Sequence, residues 1–246
     1  MNLGAAPALE DVPPGIGIVA PFDLALDREL WRWTPDPVSL YLTRTPRLEG
    51  RVGVEFAEHL ADLAVIAASC AEVAIADPGV TAYLCTSASF VGGLAGEADL
   101  RAAMERGGAR RALTTSGAVL EALSALGVSA VAVATPYDQP LTERLVAFLA
   151  EAGVRTTGTA HLGLGADIWR VGPDAVTQLA RSVPRAGAEA LVLSCTNLRT
   201  YEVIAPLERA LGIPVVSANL ATMWAALHAL DRVPAGRPEL LFSASA

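Results

Sequence analysis

Val80-Thr81-Ala82-Tyr83-Leu84-Cys85-Thr86-Ser87 and Ala190-Leu191-Val192-Leu193-Ser194-Cys195-Thr196-Asn197 each lead an apolar run into a cysteine, a threonine and further polar residues. A short apolar run bounded in this way reads as a strand buried on both faces, the kind used by parallel sheets. Each thiol then stands at the carboxyl end of a strand, where open α/β sheets bind ligands. Outward from these segments, apolar runs alternate with Ala- and Leu-rich helical stretches, which predicts repeated βα units. Strands are expected near Ile16–Ala20, Val38–Thr43, Val80–Leu84, Arg111–Thr114, Ala130–Ala134, Val154–Thr159, Ala190–Ser194 and Pro214–Ser217. Helices are expected over Phe56–Ala76, Glu97–Arg106, Gly117–Leu126, Leu141–Ala152, Pro173–Val183, Val203–Leu211 and Leu220–Leu230. Gly127, Gly153 and Gly212 stand where helix-ending glycines belong.

The two cysteine segments are part of a longer internal match. Ala20-Pro21-Phe22-Asp23 to Leu30 aligns without a gap on Thr135-Pro136-Tyr137-Asp138 to Leu145 at an offset of 115 residues. The cysteine segments pair at an offset of 110, and Thr115-Ser116-Gly117-Ala118 to Leu123 pairs with Asn219-Leu220-Ala221-Thr222 to Leu227 at 104. Three matches in the same order predict a duplicated βα lobe, the first over 15–115 and the second over 116–217. Two such lobes facing each other bring Cys85 and Cys195 to a shared cleft from opposite sides.

Composition narrows the function classes. A chain of 246 residues can bury a large core as one domain or two small ones. Apolar residues make up 52%, yet no run of about 18 uncharged apolar residues occurs, so no membrane span is expected. Met1 to Pro14 includes Glu10 and Asp11 and lacks a basic stretch followed by an apolar one, so it does not read as a secretory signal. A cytoplasmic protein with three reduced cysteines is the expectation. The net charge of −8 and the complete lack of Lys argue against a nucleic-acid surface. Small anions are a different matter, since backbone N–H groups can hold them inside an acidic protein.

A thiol used in chemistry needs access and a lowered pKa, and a helix N-terminus supplies part of that lowering. Cys85 and Cys195 have this expected placement, although the commoner use of a free cysteine is as a small buried apolar group. Cys70, inside the helical run Leu63 to Ser69, is assigned to packing. Thr86, Ser87 and Ser89 after the first thiol, and Thr196 and Asn197 after the second, suit an anion cradle and are equally ordinary helix caps. Thr115 and Ser116 form a third polar strand end expected to face the same way, and the Tyr137 hydroxyl a fourth. Asp23 and Asp138 are expected to cap helices, with Asp23 also placed to reach the cleft. His59, His161 and His228 lack metal-ligand spacing and read as a surface helix residue, a loop residue and a helix-face residue. Gly15-Ile16-Gly17 and Gly163-Leu164-Gly165 lack the context of a dinucleotide fingerprint, and no Walker segment or nucleophile elbow appears. Neither a metal nor a nucleotide cofactor is expected.

Ile18-Val19-Ala20-Pro21, Cys85-Thr86-Ser87, Thr114-Thr115-Ser116-Gly117-Ala118, Thr135-Pro136-Tyr137 and Ser194-Cys195-Thr196-Asn197 together resemble the aspartate/glutamate racemase superfamily. The resemblance is to the branch holding maleate cis-trans isomerase, arylmalonate decarboxylase and the ectoine-utilisation protein EutA. Pro21 to Trp33 with Leu42-Thr43-Arg44-Thr45-Pro46 looks most like the EutA group. The resemblance implies two flavodoxin-like lobes with parallel four-stranded sheets, and a cofactor-free site between them that takes a small carboxylic acid. It also implies that the first lobe is completed by the C-terminal helix, 218–232, and that the chain forms a homodimer or higher homo-oligomer. Cys85 and Cys195 are implied as the catalytic pair, opposed acid and base in a racemase, or nucleophile and proton donor in an isomerase. Asp23, Thr86, Ser87, Thr115, Ser116, Tyr137, Thr196 and Asn197 are implied as substrate-binding. Asp23 stands where the isomerases carry Asn, and their second Asn has no clear match here, with Asp167 nearby. Decarboxylation through Cys195 alone and a non-catalytic acid-binding protein are the alternatives.

Overall fold

The computed structural model describes residues 14–236 and 240–243, so the reading of residues 1–13 as carrying no secretory signal lies outside it. The first half runs β1 (Ile16–Ala20), α1 (Asp27–Trp31), β2 (Leu40–Arg44), α2 (Val54–Leu60), α3 (Leu63–Ala74), β3 (Val80–Tyr83), α4 (Thr86–Phe90), α5 (Gly93–Arg106), β4 (Ala112–Thr114) and α6 (Thr115–Ala125). The second runs β5 (Ala130–Thr135), α7 (Gln139–Glu151), β6 (Arg155–His161), α8 (Pro173–Ser182), β7 (Ala190–Leu193), α9 (Tyr201–Leu211), β8 (Val215–Ser217), α10 (Ala218–His228) and α11 (Leu240–Ser243). All eight expected strands are present, in two parallel four-stranded sheets ordered β2-β1-β3-β4 and β6-β5-β7-β8.

The sheets also repeat each other in register. Ile16 pairs with Val80 in the first and Val131 with Ala190 in the second, which is the same pair under the two sequence offsets. The third offset needs correction by one residue. Thr114 caps α6 by accepting from Gly117 N, and Ser217 caps α10 by accepting from Leu220 N. These equivalent caps set the offset at 103, not 104, so Thr115 corresponds to Ala218.

β1, β3, β5 and β7 are fully buried, as strands covered by helices on both faces must be. The helical run expected over Phe56–Ala76 is two helices, because Asp62 turns its carboxylate onto the N–H groups of Ala64 and Val65 and starts α3 afresh. Gly127, Gly153 and Gly212 all have positive φ at helix ends. His161, expected in a loop, is the last residue of β6. α10 packs against α6 and reaches β3 and β4 of the first sheet. Among the described residues no helix is long and apolar enough to cross a membrane.

Candidate active site

In each sheet the strand order reverses sense beside the first strand, so the loops leaving β1 and β3, and those leaving β5 and β7, part and open a crevice. The two crevices face one another across a single cavity. Pro21 and Asp23 line it from the loop after β1, and Cys85, Thr86 and Ser87 from the end of β3. Tyr137 comes from the loop after β5, and Cys195, Thr196 and Asn197 from that after β7. Thr115 and Ser116 do not line it, contrary to expectation. They follow β4, an edge strand one place removed from the crevice, and their hydroxyls are engaged below it with Tyr83 O and with Thr86 O and Ser89. Ser89 is held likewise, donating to Cys85 O and Thr86 O.

The remaining wall was not legible as such. Val52, Phe56, Leu60 and Ile168 close the cavity with apolar surface. Asp167, the neighbour of Ile168, is exposed and lies beside Arg170 instead. The space between these residues is about 30 Å³, narrow but not sealed, and Asp23 at its edge is exposed. A larger outer pocket of about 470 Å³ shares Val52 and Phe56 but reaches neither sulfur.

The two thiols sit differently. Cys85 is extended, with φ −139°, and immediately precedes the short helix α4. Cys195 has φ +98° and opens a turn closed by Leu198 N donating to its carbonyl; α9 begins only at Tyr201. Its expected place at a helix N-terminus is therefore corrected. The expected lowering of the thiol pKa is also corrected. Burial pushes Cys85 up to about 11 and Cys195 up to about 12. Asp23 adds repulsion at both, against hydrogen bonds from Ala88 N and Ser87 at Cys85 and from Asn197 N and Tyr137 at Cys195. Buried in this way, both groups are thiols rather than thiolates.

Asp23 does not cap α1, whose N-cap Leu26 makes no side-chain cap, whereas its repeat partner Asp138 caps α7 through Leu141 N. Its outer edge is exposed, yet the surrounding walls exclude enough water that desolvation raises its carboxyl, with a backbone hydrogen bond and Arg44 opposing. Arg44 itself donates to Phe22 O and Leu24 O and holds the loop in place. Asn197 lines the cavity, but its amide is engaged: it donates to Asp23 O at 3.1 Å and accepts from Ala25 N at 2.9 Å. It is a clamp between the lobes. Thr86 is the opposite case, since its buried hydroxyl has no partner in the protein. A buried hydroxyl left open in a cavity is a ready hydrogen-bonding group for a ligand. With Ser87, Thr196 and Tyr137 it gives the site neutral polar groups, and among the described residues Asp23 is the only charged side chain of the lining. Among the described residues no cluster of His, Cys, Asp or Glu could hold a metal ion.

Residues 56–241 match the family described as arylmalonate decarboxylase. The chain belongs to that family. Members of known activity lie on both sides of a division in chemistry. The arylmalonate decarboxylase of Bordetella bronchiseptica is 38% identical over 163 residues, 65% of this chain and 68% of that protein. A maleate isomerase of Nocardia farcinica is 35% identical over 169 residues, covering 65% and 67%. The structure of the Nocardia farcinica maleate cis-trans isomerase bound to TRIS superposes with a TM-score of 0.84 at 28% identity, over 93% of this chain and 97% of that one. A cysteine-to-serine mutant of that isomerase carries a covalently bound succinylcysteine intermediate, and its structure matches with a TM-score of 0.77 at 26% identity over 89% and 93%. The family thus includes both decarboxylases and isomerases, and covalent cysteine chemistry is known within it.

Proposed function

We propose that this chain is a cofactor-independent isomerase or racemase of a small carboxylic acid, with Cys85 and Cys195 as its two thiols. The observation that carries the reading is that both sulfurs reach one cavity from opposite lobes, among hydroxyl and backbone N–H groups suited to a carboxylate. Thr86, Ser87, Thr196 and Tyr137 hold the carboxylate in this reading. In a racemisation one sulfur, as thiolate, takes the proton α to the carboxylate while the other thiol returns a proton to the opposite face. In a cis-trans isomerisation Cys85 adds to the double bond, Cys195 protonates the adjacent carbon, and elimination follows rotation. Burial raises both thiols, so forming a thiolate requires a group that takes its proton.

Asp23 bears on the substrate. A carboxylate there repels a dicarboxylate, and desolvation of Asp23 toward its neutral form relieves part of that repulsion. The two-lobe division at residues 115 and 116, with 218–232 completing the first lobe, belongs to the same reading, as do a homo-oligomeric state and a cytoplasmic setting. A role in the catabolism of ectoine-type amino acid derivatives, on the EutA side of the branch, rests on the segment Pro21 to Trp33.

The test is turnover of maleate, and of chiral acids in deuterated water, by wild type and by Cys85→Ser and Cys195→Ser. Loss of activity in both variants is expected, with either a succinyl mass adduct trapped in Cys195→Ser or deuterium at the α-carbon. Full activity in both variants refutes the reading. The second reading, decarboxylation of a disubstituted malonate through Cys195 alone, is favoured by the family match. It predicts carbon dioxide release that survives Cys85→Ser.

A further inference from the structure

Each thiol has a tyrosine hydroxyl beside it, yet the duplication does not pair the two tyrosines. Tyr137 follows β5, and its counterpart after β1 is Phe22; Tyr83 lies on β3, and its counterpart on β7 is Leu193. The lobes have thus placed a phenol next to a sulfur twice, by different routes. Tyr83 and Cys85 are two residues apart along one strand direction, so their side chains leave the same face of the sheet. Both are buried in one cluster with Phe56 and Leu60. The Tyr83 hydroxyl donates to the carbonyl of Leu60 at 2.7 Å, and it stands near enough to Cys85 for each to act on the titration of the other.

A phenol has one proton and two lone pairs. While its proton lies on Leu60 O, the Tyr83 hydroxyl has none to give to the Cys85 sulfur. Once Cys85 is a thiolate, the hydroxyl serves it only by turning to the sulfur, and Leu60, the last residue of α2, then loses that donor. The other titratable groups facing Cys85 are Asp23 from the loop after β1, and Cys195 and Tyr137 from the second lobe. All are acids, so no neighbouring cation does the work of a donor. We propose that Tyr83 is a positioning residue for Cys85, its hydroxyl turning from the Leu60 carbonyl to the sulfur when the thiolate forms. Tyr83 keeps its proton throughout, and only the acceptor of its hydrogen bond changes. The charge state of Cys85 is thereby tied to the end of α2, the helix that supplies Phe56 and Leu60 to the cavity wall.

The inference rests on Cys85 acting as a thiolate, as proposed above, but its test reads the thiol and needs no substrate. Iodoacetamide labelling of the full-length protein is followed against pH by peptide mass, which separates Cys85 from Cys70 and Cys195. Loss of a hydrogen bond to a charged sulfur in Tyr83→Phe is expected to slow Cys85 labelling at pH 8 by about tenfold and to move its profile to higher pH. Cys195 labelling changes less than twofold, and the melting temperature falls by only about 2–4 °C through the lost bond to Leu60 O. Site-specific 3-fluorotyrosine at position 83, a stronger donor of nearly the same shape, is expected to speed Cys85 labelling at pH 8, and it keeps the test alive should Tyr83→Phe not fold. Coincident Cys85 profiles in all three proteins, or parallel slowing of Cys85 and Cys195, overturn the proposal. Either result leaves the turnover test of the two cysteines untouched.

Discussion

At Cys195 the backbone holds a side-chain-bearing residue at φ +98°, a conformation that costs of order 1–3 kcal/mol without a glycine, whereas Cys85 is extended. The same substitution therefore has different consequences at the two positions. Cys195→Gly relieves the strain while Cys85→Gly only loosens the chain, so the first is expected to be the more stable by about 1 kcal/mol in urea unfolding. Equal stabilities would show that the Cys195 backbone stores no strain. Asp23 couples the thiols in another way, because its charge raises both. Asp23→Asn removes that charge and is expected to speed alkylation of Cys85 and Cys195 several-fold near pH 8, with the rise of each labelling profile moved to lower pH. An effect confined to one sulfur would place Asp23 on one side of the cavity. The thiols and their hydroxyl neighbours were legible in the sequence because strand ends are marked by a change from apolar to polar residues. The strain at Cys195 was not, since nothing local distinguishes its segment from that of Cys85.

The element that organises the site is the connection from β7 to α9, which other segments grip at several points. Asn197 clamps it to Asp23 and Ala25, and Asn219 on α10 donates to Thr196 O. Glu29 on α1 accepts from Thr200 N and Tyr201 N, and so caps α9 from the other lobe in place of a side chain of its own segment. Asn197→Ala removes two hydrogen bonds across the lobes and is expected to cost about 1–3 kcal/mol of stability together with most of the activity. Asp138→Ala deletes an ordinary cap of α7 and costs about 1 kcal/mol with activity retained. Comparable activity losses in the two variants, measured beside their unfolding curves, would show that Asn197 acts only through stability. Glu29 escaped the sequence reading because Leu26 to Trp33 looks like a charged, half-exposed helix. The packing of α1 against α10 and the start of α9 buries that carboxylate. Val52 and Ile168 were illegible for a related reason: irregular segments carry no periodicity, and their approach to the cavity is set by contacts such as Val52 N to Gly165 O at 2.8 Å.

At the scale of the whole molecule, the duplication was readable almost to the residue, because the two sheets keep the same strand order and the central strand pairs keep the same register. What differs between the copies is how they hold each other, and Glu29 makes that contact sensitive to pH. Burial raises its carboxyl to about 7, against the hydrogen bonds from Thr200, Asn219 and Tyr201. In the unfolded chain the group returns to 4.5. The folded protein therefore binds the Glu29 proton more tightly than the unfolded chain does. The stabilisation this gives is complete below about pH 4.5 and is lost as pH rises through about 7, with a ceiling of about 3 kcal/mol. Asp23 and Glu208 are raised by burial and act in the same direction, while the lowered carboxyl of Glu189 acts in the opposite one. Urea unfolding of the wild type between pH 5 and 8 contains the contributions of Glu29, Asp23 and Glu208, whereas that of Glu189 changes below about pH 4.5. Glu29→Gln cannot titrate, so the difference between wild-type and variant unfolding free energies isolates the Glu29 contribution. That difference is expected to shift against the wild type as pH rises from 5 to 8, most steeply near 7. A difference that stays constant across this range would mean that the carboxylate is held equally well with and without its proton, and that the grip of α1 on α9 does not respond to pH.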